Sequence, residues 1–264
     1  MNTESVKVKL NLNDQVHTVN MPRKLCIIRH VNSWFNHLRT LSVDYPEIMA
    51  VFHGNSKWDY DIRLSHLGKS QGSVLNSFWK DVINNDNSFT NYLSSPYRRT
   101  CDTIEYITQD YKKSDFLIEK GSGFYYGYSQ LELVGLIPNY SEQKKDRWNS
   151  KIGPKTLPPE LLTESYREVC NRLLLACYEV PIINTAICTH GEVVTGLRYM
   201  IEAPQEVRFN DFLKDTIQSD YAKNGDIYEY DFWHRVTRNH RIFAVSDKKL
   251  MYVTSPWQPL YPLN

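Results

Sequence analysis

Leu25-Cys26-Ile27-Ile28-Arg29-His30-Val31-Asn32-Ser33-Trp34-Phe35-Asn36 is the stretch whose reading decides the fold. Four apolar residues stop abruptly at an Arg-His pair. A short apolar run bounded by polar residues reads as a buried strand of a parallel sheet. Open α/β sheets place their ligands beyond the carboxyl ends of such strands. An imidazole delivered there can attack an electrophilic phosphorus, and a guanidinium can grip phosphate oxygens with two parallel hydrogen bonds. The same pair also suits the start of an ordinary surface loop, so this stretch alone assigns no function.

Working outward, the pattern repeats. Ala186-Ile187-Cys188-Thr189 runs into His190-Gly191-Glu192, and Asn91 to Ser94 runs into Ser95-Pro96-Tyr97-Arg98-Arg99. Upstream, Val6–Leu12 and Gln15–Val19 alternate apolar and polar residues around Asn13-Asp14, which predicts a hairpin or an added edge segment. Trp34–Trp58 reads as an irregular aromatic stretch, long for a connection and suited to a lid or rim. A helix opened by the Leu64–Gln71 segment is expected to run to about Ile83, with Leu67, Val74, Leu75, Phe78, Trp79 and Val82 inward. A second is expected over Thr100–Tyr111, followed by a strand over Asp115–Glu119. Phe124–Pro159 reads as an excursion over the site. A helix then carries Leu161, Leu162, Val169, Leu173, Leu174 and Cys177, and Pro181 ends it. Ile182–Thr189 is the second core strand and Gly191–Ile201 its helix. Strand-like runs close the chain at Asp226–Trp233, Arg241–Val245 and Leu250–Val253, with a turn at Ser246–Lys249. Strands alternating with helices give the expected class: α/β, three-layer α/β/α, with a mostly parallel sheet. The expected organisation is one domain over residues 1–264, a hairpin or edge extension over 1–22 and the core from about 23.

Composition narrows the function classes. The chain has 264 residues and a formal net charge of +1, and no basic block of the kind nucleic-acid binders carry. No apolar run approaches the roughly 20 residues of a membrane span, and Met1–Ser5 does not read as a secretory signal. Cys26, Cys101, Cys170, Cys177 and Cys188 form no Cys-x-x-Cys pair. At least two of them lie in apolar strands, as small hydrophobes do, which points to a reducing, cytoplasmic setting. The histidines lack metal-ligand spacing, so no structural zinc site is expected.

Arg29-His30, Ser95-Pro96 with Arg99 three residues past the proline, and His190-Gly191 together resemble the histidine phosphatase superfamily, with its phosphoglycerate-mutase-like fold. Leu64-Ser65 and Gly68-x-x-Gln71 match the segment that opens that family's first helix. Leu157–Tyr166 with Arg172, and Ile118-Glu119-Lys120-Gly121, are similar to the phosphatase domains of the Sts proteins and to insect ecdysteroid-phosphate phosphatases. The resemblance spans roughly residues 24–262.

That resemblance implies phosphomonoester hydrolysis in two steps through a phosphohistidine. His30 would be the nucleophile, with Arg29, Arg99 and His190 around the transferred group and their charge leaving no need for a metal or other cofactor. Ser33 and Asn36 are candidate substrate-binding residues, although both also suit a helix start. The implied substrate is a small-molecule or phosphoprotein ester: an aryl phosphate, phosphotyrosine or a steroid-type phosphate. The oligomeric state stays open, with a homodimer among the options. A mutase fits the Sts-like middle less well.

Two departures keep a second reading in view, a catalytically weak relative serving as a protein-interaction module. Val31 stands where the family has glycine, and a β-branched residue resists dihedrals that glycine tolerates. The acid that protonates the leaving oxygen is also unsettled. One alignment makes it Glu119. The other, preferred on the Sts-like step, puts Phe124 at the acid position, leaving the acid absent or supplied by another residue such as Glu132.

Overall fold

The computed structural model describes residues 5–12, 15–41, 60–119, 145–151, 164–179, 182–220, 222–244 and 250–260. The lid stretch beyond residue 41, the 124–144 and 152–159 parts of the excursion, the helix start at Leu161 and Leu162, and the Ser246–Lys249 turn lie outside these residues. So do Phe124 and Glu132.

β1 (Val6–Asn11) and β2 (Val16–Met21) form the expected antiparallel hairpin. β3 (Lys24–Arg29) is the central strand of the main sheet. Its neighbours are β6 (Thr185–Thr189), which runs parallel to it, and β7 (Asp226–Asp231), which runs antiparallel. β4 (Asn91–Ser94) and the short β5 (Lys112–Lys113) continue the parallel half beyond β6. β8 (Val236–Ala244) pairs with β7, and β9 (Leu250–Thr254) and β10 (Gln258–Pro259) both pair with β8. The sheet is therefore mixed. Parallel pairing is confined to β3–β6–β4–β5, the half that carries the motifs; the connection from β6 to β7 also holds helices, yet β7 pairs antiparallel with β3. The strand β8 follows β7 after a short turn, which permits only antiparallel pairing.

Helices cover both faces. Leu25 and Ile27 point into one core with α4 (Tyr166–Glu179) and α5 (Gly191–Glu202). Cys26 and Ile28 point into the other with α2 (His66–Phe78). This is the two-sided burial that a continuous apolar strand predicts. The hairpin packs on the α4/α5 side, and α6 (Phe209–Asp220) joins that layer through Phe209. All five cysteines are buried and unpaired, and burial pushes the Cys177 thiol up to about 12. Among the described residues no helix is long and apolar enough to cross a membrane.

Three sequence expectations change. Trp34 opens a helix, α1 (Trp34–Leu41), rather than an irregular stretch. α3 begins at Arg98 and ends at Ile104, short of Tyr111. Asp115–Leu117 is a 3₁₀ turn, not a strand. The α4 residue Arg172 holds that turn by donating to the Phe116 carbonyl, while Glu164 grips the same guanidinium at 2.6 and 3.0 Å. Past α2 the expected helix does continue to Ile83, as a π-helical turn over Trp79–Ile83.

Candidate active site

The carboxyl ends of β3, β4 and β6 lie side by side, with Arg29 opposite Thr189 and Ser94 opposite Cys188. The residues just beyond these ends are His30, Ser95 and His190. The rings of His30 and His190 are 5.4 Å apart in an edge-to-face arrangement, and both are buried. The parallel pairing of β3 with β6 delivers this convergence, since each histidine follows the last residue of its strand.

His30 is held by its backbone and by its ring. Its N–H donates to the Thr189 carbonyl at 2.9 Å. Its Nδ1 lies 2.8 Å from the Val31 carbonyl. A carbonyl can only accept, so Nδ1 carries the ring proton and Nε2 keeps its lone pair. Burial, then the charges of Arg99 and Arg29, hold the His30 imidazole well below its ordinary pKa. A neutral ring with a free Nε2 is the form a nucleophile needs.

His190 is arranged differently. Its Nε2 is 2.9 Å from the Ser95 hydroxyl, and its Nδ1 is 3.6 Å from a Glu119 oxygen. The Ser95 hydroxyl donates to Nε2 in the tautomer whose ring proton sits on Nδ1, on the Glu119 side. Burial, followed by the charges of Arg99, His30, Arg29 and Arg172, depresses the His190 pKa well below the usual value. The ring is thus a neutral donor whose Nδ1–H faces the site. Ser95, the second serine of Ser-Ser-Pro, sets this orientation.

Arg99 is buried, while Arg98 beside it is exposed and pairs with Asp102 at 2.6 Å. That is the inward and outward assignment expected from the proline spacing. The guanidinium of Arg99 lies 4.8 Å from the Tyr97 ring centroid and 3.7 Å from Glu119. Arg29 donates to the Ala222 carbonyl. Both arginines act electrostatically on both imidazoles, so the four expected residues share one site.

Ser33 caps α1. Its hydroxyl donates to Asn36 Oδ1 at 2.7 Å and accepts from the Asn36 N–H at 3.4 Å, a reciprocal cap. Asn36 Oδ1 also accepts from Asn224 Nδ2 at 3.1 Å. With Oδ1 so occupied, the Nδ2 group of Asn36 is its half available to a ligand.

The nucleophile's loop is braced by the Leu64–Gln71 motif. Ser65 donates to Asn32 Oδ1 at 2.6 Å and caps α2 through the Gly68 N–H at 3.1 Å. Gln71 accepts from the Asn32 N–H at 2.9 Å. A Cβ on Gly68 would sit 1.8 Å from the Asn32 carbonyl oxygen, so only glycine allows α2 to approach the loop this closely. Val31 needs no such freedom. Among the described residues Asn87 and Arg235 are the non-glycine residues with positive φ, and the Val31 side chain is fully buried in the α2-side core.

The Glu119 carboxylate faces Arg99 and His190, at 3.7 and 3.6 Å. Tyr97 donates its hydroxyl to the Glu119 carbonyl at 3.1 Å, Thr189 donates to the Leu117 carbonyl at 2.8 Å, and the Glu192 N–H points at Glu119 Oε1 at 3.4 Å. Tyr97, edge-on to His190 at 5.0 Å, and Asn224 are site residues that sequence reasoning missed. Tyr97 stood within a motif but between its marked positions. Asn224 carried no local signal.

Among the described residues no group of three His, Cys, Asp or Glu side chains is placed to hold a metal. Two arginines and a neutral imidazole donor can instead surround a tetrahedral anion beside the free Nε2 of His30.

A family model described as histidine phosphatase superfamily, branch 1, matches residues 48–217. The matched span holds Arg99, Glu119 and His190, and it leaves Arg29 and His30 upstream. The fold is similar to that of a phosphoserine phosphatase from Entamoeba histolytica in complex with 3-phosphoglyceric acid, at 18% identity and TM-score 0.52 over 80% of this chain and 91% of that one. It is also similar to mycobacterial hydrolase 2, at 15% identity and TM-score 0.52 over 92% and 93%. A third similar structure is a mycobacterial glucosyl-3-phosphoglycerate phosphatase complexed with VO3, at 15% identity and TM-score 0.51 over 90% and 99%. At these identities the likeness concerns the fold. No curated protein sequence matches the chain.

Proposed function

The chain belongs to the histidine phosphatase superfamily, and from that membership we propose that it hydrolyses phosphomonoesters through a phosphohistidine formed on His30. The observation that carries the proposal is the His30 ring. Its Nδ1 is committed to the Val31 carbonyl, leaving Nε2 free beside His190 and two arginines.

The steps follow from the geometry. The ester phosphate enters with its oxygens on Arg29, Arg99, His190 Nδ1–H and Asn36 Nδ2. Nε2 of His30 attacks phosphorus and the bond to the leaving oxygen breaks. Glu119 gives that oxygen its proton. A water then attacks the phosphohistidine, Glu119 takes the water's proton, and phosphate leaves with His30 neutral again. Fixed charges aimed at the phosphoryl oxygens supply most of the stabilisation, and no metal is used. Ser33 serves by holding Asn36 in place.

The substrate we propose is an aryl phosphate, phosphotyrosine or a steroid-type phosphate. Tyr60 packs tilted against Tyr97 at 5.3 Å, and Tyr97 edge-on against His190, so an aromatic cluster adjoins the phosphate position with Tyr60 at its exposed end. Two findings weigh against the alternative of an inactive interaction module. Val31 fits the loop without positive φ, and a carboxylate stands beside His190. The test is hydrolysis of para-nitrophenyl phosphate and of an alkyl phosphate in the presence of a chelator. Turnover of the aryl ester that vanishes in His30→Ala supports the proposal. No turnover of either ester, or full turnover in His30→Ala, rejects it.

A further inference from the structure

β7 runs antiparallel to β3, so it begins where β3 ends. The turn before it, Ala222–Gly225, is thereby brought to the edge that carries the histidines. Its contacts are unusually concentrated. The Ala222 carbonyl accepts from the Arg29 guanidinium. The Gly225 N–H lies 3.3 Å from the carbonyls of both Arg29 and His30. Asn224 Nδ2 is 3.1 Å from the His30 carbonyl, 3.1 Å from Asn36 Oδ1 and 3.5 Å from His30 Nδ1.

We propose that Asn224 is a positioning residue for the nucleophile, fixing the ring orientation and proton position of His30 with one amide group. The inference rests on His30 being the nucleophile. The two Asn224 N–H bonds are directed at the His30 carbonyl and at Asn36, so neither is left to donate to a bare Nδ1, and an amide nitrogen accepts nothing from the ring. The ring N–H therefore turns to the Val31 carbonyl, and Nε2 is presented to the substrate. The same amide ties Asn36 to His30, which sets a phosphate donor at a constant distance from the nucleophile.

The turn is itself fixed. Asp226, fully buried, accepts from the Lys223 N–H at 2.7 Å and pairs with Arg241 at 2.7 and 3.0 Å. Gly225 has φ +83°, and a Cβ there would approach the Ile242 carbonyl oxygen to 3.1 Å. An asparagine at position 224 thus reaches His30 from a rigid support. Among the described residues, the charged or titratable groups acting on His30 are Arg99 from α3, Arg29 from its own strand, and His190 from the β6–α5 junction. None supplies a negative charge to Nδ1, and the amide occupies the place where one would stand.

The test is a ¹⁵N imidazole NMR titration of wild type, Asn224→Ala and Asn224→Asp, with His30→Gln to assign the ring. It is run beside para-nitrophenyl phosphate kinetics. In wild type His30 should show the neutral Nδ1–H form through neutral pH. Asn224→Asp should raise the His30 titration midpoint by about one pH unit or more, because a carboxylate then faces Nδ1–H. Asn224→Ala should lower kcat by about tenfold or more, a larger factor than any rise in KM from the released Asn36, the signature of a misplaced nucleophile over lost binding. A packing role alone would lower the melting temperature and leave the midpoint where it was. Unchanged His30 resonances and midpoint in both variants overturn the inference, whatever the kinetics. A shifted midpoint in a protein without phosphatase activity upholds the positioning and rejects the phosphatase reading.

Discussion

The carboxylate of Glu119 stands 3.6 Å from Nδ1 of His190. With Arg99 at 3.7 Å on the same oxygen, it occupies the side of the site opposite the Ser95 contact of His190. An alkoxide leaving group must be protonated as it departs, whereas an aryl oxide leaves nearly unaided. Glu119→Gln is therefore expected to slow alkyl phosphates by about tenfold more than aryl phosphates, within the range of acid catalysis. Equal effects on both esters in single-turnover measurements would remove Glu119 as the proton donor.

Val31→Gly tests whether valine in the nucleophile's loop impairs catalysis. The side chain is fully buried against the α2-side core, and its backbone N–H reaches Thr103 Oγ1 at 3.3 Å. Restoring the family's glycine should cost about 2–4 kcal/mol of stability through the cavity and the looser backbone. It should not raise kcat. A Val31→Gly variant that is faster and equally stable in denaturant titration would show that valine strains the loop.

The pH dependence follows from the two depressed imidazoles. His30 and His190 both have folded pKa values lowered chiefly by burial. In the unfolded chain each binds a proton near pH 6.5. Below that pH the unfolded state takes up more protons than the folded one, so stability falls as pH falls toward the depressed folded values. Above it the full contribution is present. Urea midpoints should hold steady at and above neutral pH and decline below about 6.5. In a double His30→Gln, His190→Gln variant that decline should shrink. Catalysis should stay on its plateau below the ordinary histidine range, because Nε2 of His30 remains unprotonated there.

Much of this was legible because the motifs are local. Leu25–Ile28 announced a buried strand, and the Arg-His pair at its end had one place to go. The same holds for His190 after Ala186–Thr189, and for Arg99, whose spacing from Pro96 chose it over Arg98. What was not legible depends on contacts remote in sequence. Asp115–Glu119 looked like a strand, but a 3₁₀ turn tied to Arg172 and Thr189 swings Glu119 into the site instead. Asn224 meets His30 across 194 positions, through a strand whose antiparallel direction no local pattern reveals. The mixed sheet has the same origin: the length of a connection suggests a direction, and only the assembled sheet fixes it.

The central claim is covalent, and one measurement reads it directly. The protein is mixed with para-nitrophenyl phosphate, quenched in alkali within the first turnovers, and digested for mass spectrometry. The account predicts a phosphoryl group on His30, lost in His30→Ala together with turnover, and longer-lived when Glu119→Gln slows the attack of water. Sustained turnover with no phosphoryl group on His30 in the pre-steady-state phase, or with the group on another side chain, would contradict it.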